Sequence, residues 1–360
     1  MMGSHVLVRH TIVWIALFGL VAVVGCSPSN QNTSTPPDKM EKPVESTAAL
    51  TGQEPMEQEC QAWAAKMEQA VNQVDVATIN ELIDWDAILE SATGGFPGIE
   101  SQRQNFKYEF RQSLNGRNGF WSSIARQITG GGTYYFLRVG KIEGKKCARF
   151  RLSGPQGGAN YHDFVLVREP DGRTKAVDWF IYLSGEMLSK TLRRNFLPVV
   201  AHEQRSVLEK LTGAEGDFVK HLVEWRAYSE AAQNGQWQQV HDIYNNFPKS
   251  MKRDKNILLV RSQAALARND KRDYALAIAD MERLFPNDPM LALISIDSCC
   301  IRGEYDKAIA AIDKFDKAIG GDPFLLVLKA KIFQLKGDTD TAERLVQQAK
   351  EIDPTVVNEN

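Results

Sequence analysis

In this 360-residue chain, Tyr135, His162, Asp163, Asp178 and Tyr182 are residue types that could do acid–base chemistry, and all lie in a stretch of short β-rich runs. Proton abstraction beside a carbonyl needs a carboxylate as base and a hydroxyl or protonated acid as oxyanion donor in one cavity. The phases of these five residues along their runs do not converge, so they are expected to be polar strand positions around a filled core. Other chemical spacings are incomplete. His202-Glu203-Gln204-Arg205 begins like a zinc-protease helix, but Ser206 stands where the second histidine belongs. Gly140 to Gly144 is too short for a phosphate loop, and Lys146 replaces the hydroxyl residue that would touch magnesium. Gly130-Gly131-Gly132 precedes a strand and suggests a flexible joint. The sequence has no Cys-x-x-Cys pair and no Gly-x-Ser-x-Gly elbow. No catalytic residue, metal or cofactor is expected.

One charged cluster stands out. Arg138, Lys141, Lys145, Lys146, Arg149 and Arg151 crowd a single hairpin against Glu143. Such a hairpin could touch lipid headgroups or another polyanion. The expected use is plainer, a solvated edge that discourages strand-to-strand aggregation.

The elements that carry these residues fall between 57 and about 212. Ala62, Trp63, Ala65, Met67, Ala70 and Val71 have helical spacing, and short helical stretches follow around Val76–Ile83 and 99–128, separated by Gly94, Gly95, Pro97 and Gly98. The period then changes to two over Tyr134–Val139, Cys147–Leu152, Tyr161–Val167 and Ala176–Leu183. Ala148, Phe150 and Leu152 alternate with Arg149 and Arg151, while Val177, Trp179, Ile181 and Leu183 alternate with Asp178. Short turns such as Glu143-Gly144-Lys145 and Pro170-Asp171-Gly172 predict an antiparallel four-stranded meander with one covered face. A helix is expected from about Glu186 to Leu211. The class is α+β, helices plus a curved four-stranded sheet.

Helices before a curled meander, with Val74-Asp75-Val76-Ala77 through Ile83-Asp84 and the late strand Asp171 to Leu183, resemble the nuclear-transport-factor-2-like superfamily. The resemblance implies a cone-shaped fold that often encloses an apolar cavity able to hold a steroid or lipid. Val177-Asp178 through Ser184-Gly185-Glu186 to Arg193-Arg194-Asn195-Phe196 more faintly resembles periplasmic phospholipid carriers of the toluene-tolerance type.

From about 217 to 355 the pattern is a ladder. Gly235, Asn269, Gly303 and Gly337 stand 34 residues apart, a period that predicts an all-α array of helical hairpins, each burying its apolar face against its neighbours. Val240, Tyr274, Ala308 and Ala342 repeat five residues later, and Pro289 and Pro323 open their units. Gly303-Glu-Tyr-Asp-Lys-Ala308 and Gly337-Asp-Thr-Asp-Thr-Ala342 resemble the turn of the tetratricopeptide repeat over about four units. In that family the first helix of each unit lines a concave groove. By register the groove would hold Trp225, Ser229, Gln233, Asn256, Gln263, Asp297, Lys331 and Gln334, with Leu259, Leu293 and Val327 among them. The Lys/Asn pattern by which chaperone-binding members clamp a carboxylate is absent. A competing expectation is that the array merely packs on the middle domain.

The N-terminus supplies an address. Arg9 and His10 precede the apolar run Ile12–Gly25, which ends at Cys26. Its length of about 21 Å as a helix is short of a ~30 Å hydrocarbon core and suits a signal peptide. Val23-Val24-Gly25-Cys26 resembles the lipobox of bacterial lipoproteins, which implies acylation of Cys26 and membrane attachment. Ser27 beside it implies the outer membrane under the best-known sorting rule. Residues 26–56, beginning Ser27-Pro28-Ser29-Asn30, have little to bury and suggest a disordered tether. An exported protein meets an oxidising space, which would allow Cys60 and Cys147 to pair, while Cys299 and Cys300 suit small apolar packing. A net charge of −2 offers no basic excess for nucleic acid.

The expected organisation is a signal peptide over 1–25, a tether over 26–56, an α+β domain over 57–212 and the array over 217–355. The expected function is non-catalytic recruitment of a protein or peptide at the periplasmic side of a bacterial cell envelope. A carrier holding an apolar molecule or lipid in the middle domain comes second, and an isomerase- or cyclase-like enzyme third.

Overall fold

The computed structural model describes residues 52–96, 98–114, 120–154, 158–203, 220–286 and 288–356. The signal peptide, Cys26 and the tether up to residue 51 lie outside them, as does 204–219, where the expected domain boundary falls. Five helices come first: α1 (Glu57–Asn72), α2 (Val76–Glu81), α3 (Trp85–Thr93), α4 (Glu100–Leu114) and α5 (Ser122–Thr129). Asp75 and Asp84 cap α2 and α3 by accepting from the Thr78 and Ala87 backbone N–H groups. Helix α3 goes beyond the sequence expectation, and the single stretch anticipated over 99–128 is two helices. Residues 53–56, expected to end the tether, are held instead: Gln53 bridges Arg168 antiparallel, and Lys146 Nζ donates to the Pro55 carbonyl at 2.7 Å.

The sheet follows as an antiparallel meander in chain order: β1 (Thr133–Ile142), β2 (Lys145–Ser153), β3 (Ala159–Arg168), β4 (Thr174–Ile181) and β5 (Glu186–Met187). It has five strands where four were expected, because Glu186 and Met187 pair with Ile181 and Phe180 before helix α6 (Leu188–Glu203) begins. Glu143 and Gly144 both take positive φ (49° and 78°), the geometry that closes a two-residue hairpin. Gly132 is no flexible joint, since a Cβ there would stand 2.5 Å from the Ser153 carbonyl oxygen.

Strand alternation sends Ala148, Phe150, Leu152, Phe164 and Trp179 into one core with Trp63 and Met67 of α1. Trp63 meets Phe164 at 5.4 Å between ring centroids, and Trp121 stacks on Trp179 at 5.4 Å. Asn80 Oδ1 accepts from both the Trp85 and Trp121 indoles, at 3.1 and 3.0 Å, tying the helices together over this layer. The register shifts between Val165 and Leu166 against β4, so Val177 leaves the face of Trp179 and joins Val165, Val167 and Met187 in a separate cluster. The alternation expected from Val177 onward therefore fails at its first residue.

The C-terminal region is helical: α7 (Leu222–Gln233), α8 (Trp237–Asn246), α9 (Lys255–Ala267), α10 (Lys271–Leu284), α11 (Pro289–Arg302), α12 (Tyr305–Ile319), α13 (Pro323–Lys336) and α14 (Thr339–Ile352). Gly235, Asn269, Gly303 and Gly337 all adopt left-handed φ, at 67°, 58°, 72° and 84°. Asparagine is the residue that tolerates this conformation best after glycine. The largest apolar cluster runs from Cys60 in α1 to Ile294 in α11, so the sheet layer and the first helices of this region share one core. A second cluster joins Tyr161 and Tyr182 of the sheet to Ile312 and Phe315 of α12. Both faces of the sheet are covered, not one. No helix among the described residues is long and apolar enough to cross a membrane.

Candidate functional site

The outer face of the sheet carries Arg138, Arg149 and Arg151, and all three grip the corner between α12 and α13. Arg149 forms a bidentate pair with Asp163 (Nε to Oδ1 2.7 Å, Nη2 to Oδ2 2.6 Å), and the Tyr182 hydroxyl donates to the same carboxylate at 3.1 Å. Its remaining nitrogen donates to the Ile319 carbonyl, while Arg138 donates to the carbonyls of Gly320 and Gly321. These three carbonyls end α12, where unpaired acceptors and the negative end of the helix dipole favour cations. Arg151 pairs with Asp322, both side chains fully buried, and Tyr161 donates its hydroxyl to Asp322 at 2.9 Å. Asp322 also caps α13 by accepting from the Phe324 N–H at 3.0 Å. The Arg151 guanidinium lies over the rings of Phe324 and Tyr135, at 4.9 and 5.1 Å.

The arginines of the basic hairpin are thus spent on the chain's own helical region rather than on solvent or a polyanion. Lys141 and Lys146 remain near the hairpin tip, where both approach Glu54. Burial works against the Arg149 charge, but the Asp163 carboxylate outweighs it and holds the guanidinium above its usual range. Burial and then Asp163 push the Cys147 thiol up to about 12. Cys60 and Cys147 are free thiols. Cys60 lies in the inner core, whereas Cys147 follows the parity of Arg149 on the other face, so the sheet itself separates them.

A second contact lies between β5 and α9. Lys255 Nζ donates to the Gly185 carbonyl at 2.9 Å and pairs with Asp288. Glu186 accepts from Arg194 and from the Thr191 hydroxyl, and the Asn256 carboxamide rests against the Glu186–Arg194 pair. Burial opposes the Arg194 charge, but Glu186 and then Asp254 more than offset it, so this guanidinium is also held above its usual range. Asp254, Asp288 and Asp322 stand 34 residues apart, each immediately before a helix. Each lies near a cation of the seam: Arg194, Lys255 and Arg151. This acidic period was present in the sequence beside Pro289 and Pro323 and is the signal that would have found the seam.

The acid–base candidates separate. Asp163 and Tyr182 belong to the Arg149 cluster on the outer face, and Tyr135 lies under Arg151. Asp178 accepts from the Ser189 N–H and hydroxyl at the start of α6, and burial raises its carboxyl. His162 is on the inner face, fully buried, with Nε2 3.0 Å from the Asn160 amide nitrogen and Nδ1 2.9 Å from the Tyr134 hydroxyl. Asn160 Oδ1 accepts from the Tyr161 and Leu183 N–H groups, which orients the amide and leaves Nε2 of His162 as acceptor. The neutral ring therefore carries its proton on Nδ1 and donates to Tyr134. Burial pushes its pKa down to about 3.

The expected groove residues divide by height along their helices. Trp225, Ser229 and Asn256 are buried. Gln263 and Lys331 are half-buried, and burial lowers the Lys331 ammonium below its usual range. Gln233 and Gln334 are exposed. Asp297 belongs to α11, but its side chain lies outside the described atoms. In this conformation Trp225, Ser229 and Asn256 offer little surface to a partner. Compared with family models, curated proteins and solved structures, the chain matches none.

Proposed function

We propose that this chain is an exported lipoprotein, acylated at Cys26, whose helical region is a four-unit tetratricopeptide-like array that recruits a protein or peptide without catalysis. The α+β part, nuclear-transport-factor-2-like in this proposal, acts as the platform on which the array is mounted. Left-handed φ at every 34th residue from Gly235 to Gly337 supports the four-unit register. The observation that carries the recruiting role is the gradient along the groove. Trp225, Ser229 and Asn256 are buried, while Gln233 and Gln334 in the last turns of their helices are exposed and Gln263 and Lys331 half-buried. That leaves a polar strip rich in amides, suited to hydrogen-bonding the main chain of an extended peptide.

The groups that an enzyme would need are engaged in holding the fold: Asp163 by Arg149, Asp178 at the start of α6, and His162 between Asn160 and Tyr134. Aromatic contacts such as Trp63–Phe164 and Trp121–Trp179 occupy the inner face where a carrier would need room. Photo-crosslinking residues placed at 233 and 334 in envelope membranes should capture one reproducible partner. Capture that is absent, or unchanged by Lys331→Ala, refutes recruitment through this strip. Cys26→Ser should release the protein from membranes, and continued attachment would contradict lipid anchoring.

A further inference from the structure

Gly185 and Glu186 sit against the helical region as a bound peptide would. The main-chain carbonyl of Gly185 is taken by Lys255 Nζ at 2.9 Å, and Asp288 pairs with that ammonium from the other side. The Glu186 carboxylate pairs with Arg194 and accepts from the Thr191 hydroxyl, both on α6, and the pair rests against Asn256 of α9. The ionised side chains are 12–21 % exposed, so the contact is a built site rather than a surface encounter. It is also selective. Gly185 has φ +62°, and a Cβ there would meet Lys255 Nζ at 2.5 Å and the Asp288 carboxylate at 2.9 Å. The positive φ favours glycine here, a Cβ would push aside the ends of Lys255 and Asp288, and the acid follows directly in the chain.

We propose that Arg194, Lys255, Asn256 and Asp288 form a receptor for a glycine–acid turn, occupied in cis by Gly185–Glu186, and that an acidic peptide of the same chemistry binds there in trans when the cis turn is vacated. As regulation of a partner groove this rests on the recruiting role proposed above, because Asn256 is one of the expected groove positions. As a binding site it stands on the contacts alone. Cis occupancy lowers the apparent affinity for a trans ligand in proportion to the fraction of molecules in which the site is open.

The test uses the full chain and a fluorescein-labelled peptide of residues 183–188, Leu-Ser-Gly-Glu-Met-Leu. Glu186→Ala removes the carboxylate from Arg194 and loosens the turn, so that it opens more often and lets Arg194 and Lys255 meet the acid and the glycine carbonyl of the incoming peptide. Fluorescence anisotropy should show binding at least ten-fold tighter than to the unmodified protein, lost again in Glu186→Ala/Lys255→Met and with a peptide carrying Gln in place of Glu. A Glu186→Ala protein with native circular dichroism and no gain in affinity overturns the proposal. Should that variant fail to fold, hydrogen exchange on the unmodified protein decides: millimolar peptide should accelerate exchange at the amides of residues 185–187, and unchanged exchange refutes the site. Binding sensitive to Lys255→Met but not to Gln334→Ala, beside failed capture at 233 and 334, would leave this site standing and remove only the recruiting role.

Discussion

Asp322 is the residue on which the seam turns, and Asp322→Ala is the most informative single change. It would take from Arg151 the carboxylate it pairs with, in a position with no solvent access, leaving Asp353 as a more distant counter-charge. Breaking a buried pair by removing one partner costs about 3–5 kcal/mol. The same change removes the cap of α13, worth about 1 kcal/mol, and leaves the Tyr161 hydroxyl without its acceptor, a further loss of about 1–3 kcal/mol. These terms overlap, so the expected total is at least about 4 kcal/mol, a large share of the ~5–15 kcal/mol that holds a typical domain folded. Asp322→Asn keeps an oxygen for the cap and turns its amide nitrogen to the Tyr161 hydroxyl, which can rotate to accept, so the main loss is the charge, at about 3 kcal/mol. Arg151→Met/Asp322→Asn removes both charges and should recover at least about 2 kcal/mol of the summed single losses. Urea denaturation followed by tryptophan emission measures these proteins together with Arg151→Met alone, with the midpoint falling at constant slope. An Asp322→Ala protein within about 1 kcal/mol of the unmodified chain would refute the fully desolvated clasp, as would a double variant no better than the sum of the singles.

Three other outcomes follow from particular side chains. His162 has its folded pKa pushed down to about 3. The unfolded chain thus takes up a proton near pH 6.5 that the folded chain refuses, and stability is full above that pH and lost as pH falls toward 3, at about 1.4 kcal/mol per pH unit. Against His162→Gln the difference in stability between pH 6 and 5 should show that slope; equal slopes would mean the ring is hydrated. Asn80→Ala strips the shared acceptor from the Trp85 and Trp121 indoles and should cost about 2–4 kcal/mol by urea denaturation. Because Cys60 and Cys147 are free and on opposite sides of the sheet, reducing agent should not move the melting temperature, and native alkylation should leave both unmodified until the chain unfolds. A reductant-dependent shift in the melt would point to a disulfide.

Much of the local structure was legible. The change from period 3.6 to period 2 placed β1 to β4, the Glu143-Gly144 pair placed their first turn, and the 34-residue ladder placed four left-handed corners. These features depend on backbone conformation and on neighbours within a turn or a strand, which the chain carries in its own order of residues. Alternation likewise put Arg149 and Arg151 opposite Phe150 and Leu152.

What alternation does not encode is the surface that an outward-facing side chain meets. A run of arginines reads the same on a solvated edge and on a buried seam, because its partners, Asp322 and the carbonyls of residues 319–321, lie some 170 residues away. The shift at Val165 and the two-residue strand β5 are equally non-local, since each exists only through pairing with another strand. The groove residues fared the same way. Period assigned them to one side of their helices, and only tertiary packing decided that Trp225, Ser229 and Asn256 would be covered while Gln233 and Gln334 stayed exposed. Periodicity assigned most strand and helix residues to their faces, Val177 excepted, and packing then set what covers each face, because burial is a property of two surfaces and a periodic pattern describes only one of them.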